Sequence, residues 1–382
     1  MTISRRRFAQ LLGAGAAAAV ARPTLTLARA AAAVAPVRHA GIIRLSSNEN
    51  PYGASPRALK AMTDAFGIVN RYPDEHANAL LEAIAQRDSV RTDQILLGDG
   101  SGEILKLCAD AFTGPVEKGP AGTERGALVV ADPTFEAILY HAQRNRARIV
   151  KVPLTPTYSH DLPKMLEALE GGLVYICNPN NPTASITPKG EVRDFIAKVP
   201  KKTIILVDEA YFHYADDPKY ETMMPLVADR PNLIVLRTFS KIYGMAGLRC
   251  GYAVAHTYTI ERLRAYQAWD SVNVMAMVAA EASLGDPDKV KEDSERNKET
   301  RTFIVEELSK MGFSTIPSQA NFIMLDAKRP VVPLLATLKN RKIEVGRLFR
   351  PMTNYMRVTI GTKAEMEAFL AAFRESTTPA TS

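Results

Sequence analysis

The chain has 382 residues, 46% of them apolar and 23% charged, which suits a folded protein with a large core and excludes a low-complexity or disulfide-stapled scaffold. The net charge of +7 is concentrated at the start, where Arg5, Arg6, Arg7, Arg22 and Arg29 stand with no acid among them. Without those five, 43 basic residues face 41 acidic ones, so the charge does not argue for nucleic acid as a partner.

The opening segment has the three parts of an export signal: Ser4, three arginines and Phe8, then an alanine-rich apolar run from Leu11 to Ala21, then Ala28-Arg29-Ala30 as a small-x-small cleavage pattern. The paired arginines resemble a twin-arginine signal, which directs folded proteins to the periplasm. Cleavage is expected after Ala30, with Ala33 as a second position. The alternative is a basic tail on a cytoplasmic protein. The run is too short to span a bilayer stably, and no stable membrane insertion is expected. Cys108, Cys177 and Cys250 lie in apolar neighbourhoods without metal spacing and read as buried thiols.

Ile42 to Leu45 reads as a short strand. Residues 46–53 are too polar for core, and such a loop either reaches over a site or is plain surface. Ser55-Pro56 begins a capped helix, and a second helix follows over about 77–86. Ile95 to Leu97 is a strand leading into Gly98, Asp99, Gly100, Ser101 and Gly102, then a helix. Strand, glycine turn and helix start make an anion site, because first-turn amides lack intrahelical partners. The spacing fits neither a Walker loop nor a dinucleotide fingerprint.

Strands then alternate with helices: 127–130, 148–152, 173–177, 203–207 and 232–236, with another candidate at 250–254. Polar clusters follow several of them: Asp132 to Phe135, Asn178 to Thr183, Asp208 to Tyr211, and the stretch from Arg237 to Gly251 around Lys241. That pattern predicts an α/β fold with a mostly parallel sheet and a site along its carboxyl edge. From Ile260 onward, helices (one long and charged, 287–310) and short strands predict a second, smaller α/β domain. The expected segmentation is a 1–30 signal, a 31–70 arm, a large domain over 71–270, a small domain over 271–375, and a tail over 376–382.

Lys241 follows a buried strand and is flanked by Arg237 and Arg249. Neighbouring cations and desolvation favour a neutral, nucleophilic amine. On its own, a solvated lysine in a glycine-rich loop explains the stretch equally well. Asp208 changes the balance, since a carboxylate at a buried sheet edge needs a cationic partner. A protonated heteroaromatic nitrogen supplies one. With Gly100, Ser101, Gly102, Ser240 and Arg249 as phosphate ligands, Phe135 as a stacking face, and Asn181 and Tyr211 for a ring hydroxyl, the set matches the needs of pyridoxal 5'-phosphate.

Asn48-Glu49-Asn50-Pro51-Tyr52-Gly53, Asn181-Pro182-Thr183, Asp208-Glu209-Ala210-Tyr211, and Ser240-Lys241 with Arg249 together resemble fold-type I pyridoxal-phosphate aminotransferases, especially the histidinol-phosphate aminotransferase family. The resemblance covers about 42–373. It implies a helix-sandwiched sheet with a smaller α/β domain. It implies that Lys241 holds the cofactor covalently and moves the substrate proton, that Asp208 faces the ring nitrogen, and that Asn181 and Tyr211 meet the ring oxygen. It further implies that Tyr72 reaches the phosphate in a neighbouring subunit of a homodimer. Arg357 would clamp the substrate carboxylate, assisted by Asn181, with Asn50 nearby. Read without the family, Arg357 is an ordinary strand-surface charge. The implied activity moves an amino group between an L-amino acid, or a histidinol-phosphate-like amine, and a 2-oxo acid such as 2-oxoglutarate. A lyase, racemase or decarboxylase would keep the same lysine and aspartate, and a non-enzymatic cofactor-binding module would be a different class. Two positions depart from the family: Ala184 replaces a glycine after Asn181-Pro182-Thr183, and Gly102 stands where an acidic residue is common.

Overall fold

The computed structural model describes residues 41–115, 117–118 and 124–377. The leader arginines and the end of the tail lie outside them. In the first part, β1 (Ile43–Leu45) precedes α1 (Pro56–Asp64) and α2 (Asp74–Asp88), then β2 (Ile95–Gly98) and α3 (Gly100–Phe112). Ser55 caps α1 by accepting from the Ala58 amide at 3.1 Å, with Pro56 at the first helical position. A short β3 (Glu117–Lys118) and β4 (Glu124–Arg125) pair follows, then β5 (Leu128–Asp132), α4 (Ala137–Arg144), β6 (Ile149–Pro153), α5 (Leu162–Glu167), β7 (Leu173–Cys177), α6 (Lys189–Lys198), β8 (Ile204–Asp208), β9 (Leu233–Thr238) and β10 (Gly251–Ala255).

Among the described residues these build a seven-stranded sheet in the order β2-β10-β9-β8-β7-β5-β6. The pairs from β6 to β9 are parallel, while β10 runs antiparallel to both β9 and β2. The connection from β9 to β10 holds no helix to carry the chain back across a sheet face, as a parallel crossover usually does. β7, β8 and β9 are buried at every position, as apolar runs covered by helices on both faces require. One face packs Val174, Ile205 and Val235. The other packs Tyr175, Leu206 and Leu236 against α3.

The later elements are α7 (Thr257–Arg264), α8 (Val274–Leu284), α9 (Pro287–Lys310), β11 (Ser314–Ile316), β12 (Phe322–Asp326), α10 (Val331–Asn340), β13 (Ile343–Val345), β14 (Tyr355–Thr359) and α11 (Lys363–Thr377). β11, β12 and β14 form an antiparallel sheet, and β1 pairs in parallel with β13. Residues 376 and 377, expected in a frayed tail, continue α11; each hydroxyl bonds a carbonyl four residues back. The three cysteines are free and buried. No helix of the described residues is long and apolar enough to cross a membrane.

Candidate active site

The ends of β7, β8 and β9 bring Asn181, Asp208 and Lys241 together because those strands lie side by side in parallel register, Cys177 opposite Asp208 and Asp208 opposite Leu236. Lys241 Nζ sits half-buried, donates to the Ser47 carbonyl at 3.2 Å, and lies 5.8 Å from the Tyr211 ring centre. Burial pushes its pKa down to about 8, aided by the positive charges of Arg357 and Arg249 and opposed by Glu49 and Asp208.

Arg237 does not contribute to this effect, contrary to the expectation that it flanks the lysine with free positive charge. As a β9 strand residue, its guanidinium pairs with Asp88 at 2.8 Å and Glu209 at 3.1 Å and stacks on Phe212, so its charge is neutralised inside the core.

Asp208 is 3% exposed, and no ion pair among the described residues reaches it. Burial pushes its carboxyl up to about 6, against the hydrogen bonds from the Tyr175 hydroxyl (2.8 Å) and the Ala210 amide (3.1 Å). A buried acid with no cation beside it suits a protonated ring nitrogen.

Tyr211 accepts from Asn48 Nδ2 at 3.0 Å and Asn181 Nδ2 at 3.2 Å. Asn181 Oδ1 in turn accepts from Arg357 Nη1 at 2.7 Å. Arg357 projects from β14, gives Nη2 to the Ser46 carbonyl at 2.7 Å, and keeps a buried Nε without a partner. Its ring neighbours are Phe322 and Phe349. The structure therefore joins the polar loop at 46–53 to the site at Ser46, Ser47 and Asn48. The loop's polarity was visible in the sequence, but its partners Tyr211, Lys241 and Arg357, lying 163, 194 and 311 residues away, were not.

Gly100, Ser101 and Gly102 form the first turn of α3, with their amides at the helix start. Arg249, at φ +60°, lays its guanidinium over Gly100, where any Cβ would collide with it. A Cβ on Gly251 would come within 2.6 Å of the Ser101 amide nitrogen. Both glycines thus keep a basic cradle open at the helix start. Ser240 lies beside it, its Oγ accepting from the Thr238 hydroxyl at 3.0 Å. Gly244, at φ +67°, has its own role: it packs on the Gly53 carbonyl and ties the lysine turn to the polar loop.

Phe135 follows β5 and presents a ring that is 38% exposed. Asn50, expected near the substrate, gives its amide to the Ile242 carbonyl at 2.7 Å and to Asp293 at 2.9 Å, so here it fastens the lysine turn to α9. Tyr72 is 82% exposed between α1 and α2, and no hydrogen bond among the described residues joins it to the strand-end cluster. Ala184 stands in the left-handed backbone region that favours glycine, at φ +61°. Tyr175 was missed in the sequence. The available signal was a hydroxyl in an otherwise apolar strand, which has to find a buried partner. No metal-binding cluster occurs among the described residues.

The arrangement can activate an amine, neutralise a ring cation, hold a phosphate and clamp a carboxylate. The buried unpaired Asp208, the open helix-start cradle and the softened Lys241 together fit pyridoxal 5'-phosphate.

Residues 40–373 match the family model for aminotransferase class I and II. The chain is 38% identical to a histidinol-phosphate aminotransferase of Moorella thermoacetica over 87% of this chain and 85% of that one. It is 37% identical to one of Limosilactobacillus fermentum over 86% and 90%. The solved histidinol-phosphate aminotransferase of Sinorhizobium meliloti in complex with pyridoxal-5'-phosphate superposes with a TM-score of 0.80 at 27% identity, covering 88% of this chain and 91% of that one. Family match, fold and strand-end chemistry agree: the chain belongs to the class I and II aminotransferases and is a pyridoxal-phosphate-dependent aminotransferase.

Proposed function

We propose that the enzyme transfers an amino group from an L-amino acid or a histidinol-phosphate-like amine to a 2-oxo acid such as 2-oxoglutarate. The observation that carries this reading is Arg357: a buried guanidinium, bonded to Asn181, with an unpartnered Nε and close enough to depress the Lys241 amine. A substrate carboxylate is the natural ligand for such a fork.

Lys241 Nζ binds the cofactor and, once released from it, takes the substrate proton and returns it; a pKa near 8 keeps a useful share neutral near physiological pH. When bound, the cofactor supplies an electron-poor ring that accepts the charge left as that proton departs. Asp208 holds the proton on the ring nitrogen. Asn181 and Tyr211 hydrogen-bond the ring oxygen, Phe135 stacks on the ring, and Gly100, Ser101, Gly102, Ser240 and Arg249 hold the phosphate. Arg357 and Asn181 orient the substrate carboxylate.

The relatives that act on histidinol phosphate support that substrate, whereas the leader favours an exported enzyme with a general or aromatic amino acid donor. In this reading residues 1–30 route the folded protein to the periplasm. Residues 31–70 act as an arm, 71–270 carry the cofactor and 271–375 carry the substrate clamp. The enzyme works as a homodimer in which Tyr72 completes the neighbouring phosphate site. That assembly is supported by the exposed apolar and aromatic side chains Phe66, Val69, Tyr72 and Trp269, which a monomer gains nothing by exposing.

The test is spectroscopic. Single amine donors are added to the purified mature protein, and the cofactor's visible band should fall, then return on adding 2-oxoglutarate. Release of carbon dioxide or of the mirror-image amino acid, without exchange to the oxo acid, would overturn the reading.

A further inference from the structure

Tyr175 is fully buried in the middle of β7, on the α3 side of the core with Leu206 and Leu236. β7 and β8 are parallel neighbours, and Tyr175 lies two residues before Cys177, the register partner of Asp208. Both side chains point to the same sheet face because their positions differ by even steps along the pleat. The result is a hydroxyl donating to Asp208 Oδ2 at 2.8 Å while the Ala210 amide occupies Oδ1 at 3.1 Å. The Cys177 thiol, on the same face beside Tyr175, donates to the Pro179 carbonyl at 3.4 Å. The remaining charged or titratable groups that act on Asp208 are Glu209, which disfavours its charge, Lys241, which favours it, and the buried Cys177, Tyr211 and Tyr220.

We propose that Tyr175 is a positioning residue for amino transfer: its hydroxyl fixes the Asp208 carboxylate and keeps it a weak base, so that the proton shared with the cofactor ring nitrogen stays on the nitrogen. The balance is a single proton between two atoms, N–H···O⁻ against N···H–O. A donor on the carboxylate stabilises the first form more than the second, because the neutral acid accepts a hydrogen bond more weakly. Without that donor the carboxylate becomes more basic and draws the proton across. The ring then loses its positive charge, and with it the ability to take up charge from the substrate. A hydrogen bond to a buried ion is strong enough to move such an equilibrium by roughly ten- to hundredfold. The inference rests on the cofactor reading of Asp208, but part of its test does not.

Tyr175→Phe, Asp208→Asn and the double variant decide the matter. In the cofactor-free protein, the Asp208 carboxyl stretch is followed by infrared difference titration against Asp208→Asn. The half-titration pH should rise by about one to two units in Tyr175→Phe. In the loaded enzyme, kcat should fall by about ten- to hundredfold with KM within about twofold. In the Asp208→Asn background the same change should have no further effect. Equal losses in both backgrounds, an unmoved titration, or a moved titration with unchanged kcat would each overturn the proposal. 3-Fluorotyrosine at position 175 retains the hydroxyl as a better donor and should move the titration downward, so the proposal stays testable even if the phenylalanine variant folds poorly. If the wild-type protein fails to exchange amines at all, the functional reading has failed, and the cofactor-free titration still reports on the Tyr175–Asp208 pair.

Discussion

Arg357 on β14 donates through Nη1 to Asn181 Oδ1 at 2.7 Å, bridging the small antiparallel sheet to the turn that follows β7 in the large one. The same asparagine's amide reaches the Tyr211 hydroxyl at 3.2 Å. One side chain thus couples the proposed carboxylate clamp to the hydroxyl proposed to meet the cofactor.

Arg357→Lys keeps the charge but loses the planar fork and the bond geometry to Asn181. KM for the amino acid should rise by about 10- to 100-fold, with a smaller loss in kcat, in steady-state kinetics. A change below twofold in KM would remove Arg357 from substrate binding.

Lys241→Ala removes the side chain proposed as both the covalent attachment and the proton carrier. Turnover should fall by at least about 10³-fold while the protein still binds the cofactor through its other ligands. Retention of full turnover would displace the assignment entirely.

Lys241 also sets a pH dependence. Its amine is depressed from 10.5 to about 8, so the rate at which the cofactor attaches covalently to the stripped protein should climb with pH and level off above about 8. The linked stability has the matching sign: a depressed amine contributes stability that is fully present above its unfolded pKa and lost as pH falls through about 8. Stopped-flow absorbance across pH 6–10, a range set by roughly two units either side of that midpoint, checks the attachment rate. A midpoint near 10 would contradict the desolvated environment.

Asp208→Asn should stabilise the cofactor-free fold at neutral pH while crippling catalysis. The carboxyl is raised to about 6, so its favourable contribution is present below its unfolded pKa and is lost as pH rises through about 6. At pH 8 removing that buried charge should gain on the order of 2 kcal/mol in urea unfolding. The new Oδ1 can keep the Ala210 amide and the new Nδ2 can donate to the Tyr175 oxygen, while the tyrosine hydrogen loses its acceptor, which offsets part of the gain. Loss of stability in the cofactor-free variant would contradict this account.

Ala184 holds a left-handed backbone with its methyl buried in the core. In Ala184→Gly, relief of about 1 kcal/mol of backbone strain opposes loss of a buried methyl worth about 0.8 kcal/mol. Stability should change by less than about 0.5 kcal/mol and kinetics should be unchanged, because the turn already has the shape a glycine would give it. A shift beyond about 1.5 kcal/mol in either direction would mean the turn is strained elsewhere.

By itself the sequence determined the alternation of buried strands and helices and the polar residues at the strand ends, and it singled out Lys241, Asp208, Asn181, Tyr211, Arg249 and Arg357 as candidates. Those features are local: periodicity, glycine turns and short motifs depend on neighbours a few residues apart. Only the tertiary structure decided which cations face the lysine, since Arg237 is the nearer of the two flanking arginines in sequence yet is neutralised by Asp88 and Glu209, while the more distant Arg249 acts on the amine. Tertiary structure likewise turned Asn50 toward Ile242 and Asp293, ran β10 against its neighbours, and set the Tyr175 hydroxyl on Asp208. Each of these is a contact across strands or across more than a hundred residues, where buried polar groups must find whichever partner the packing leaves within reach.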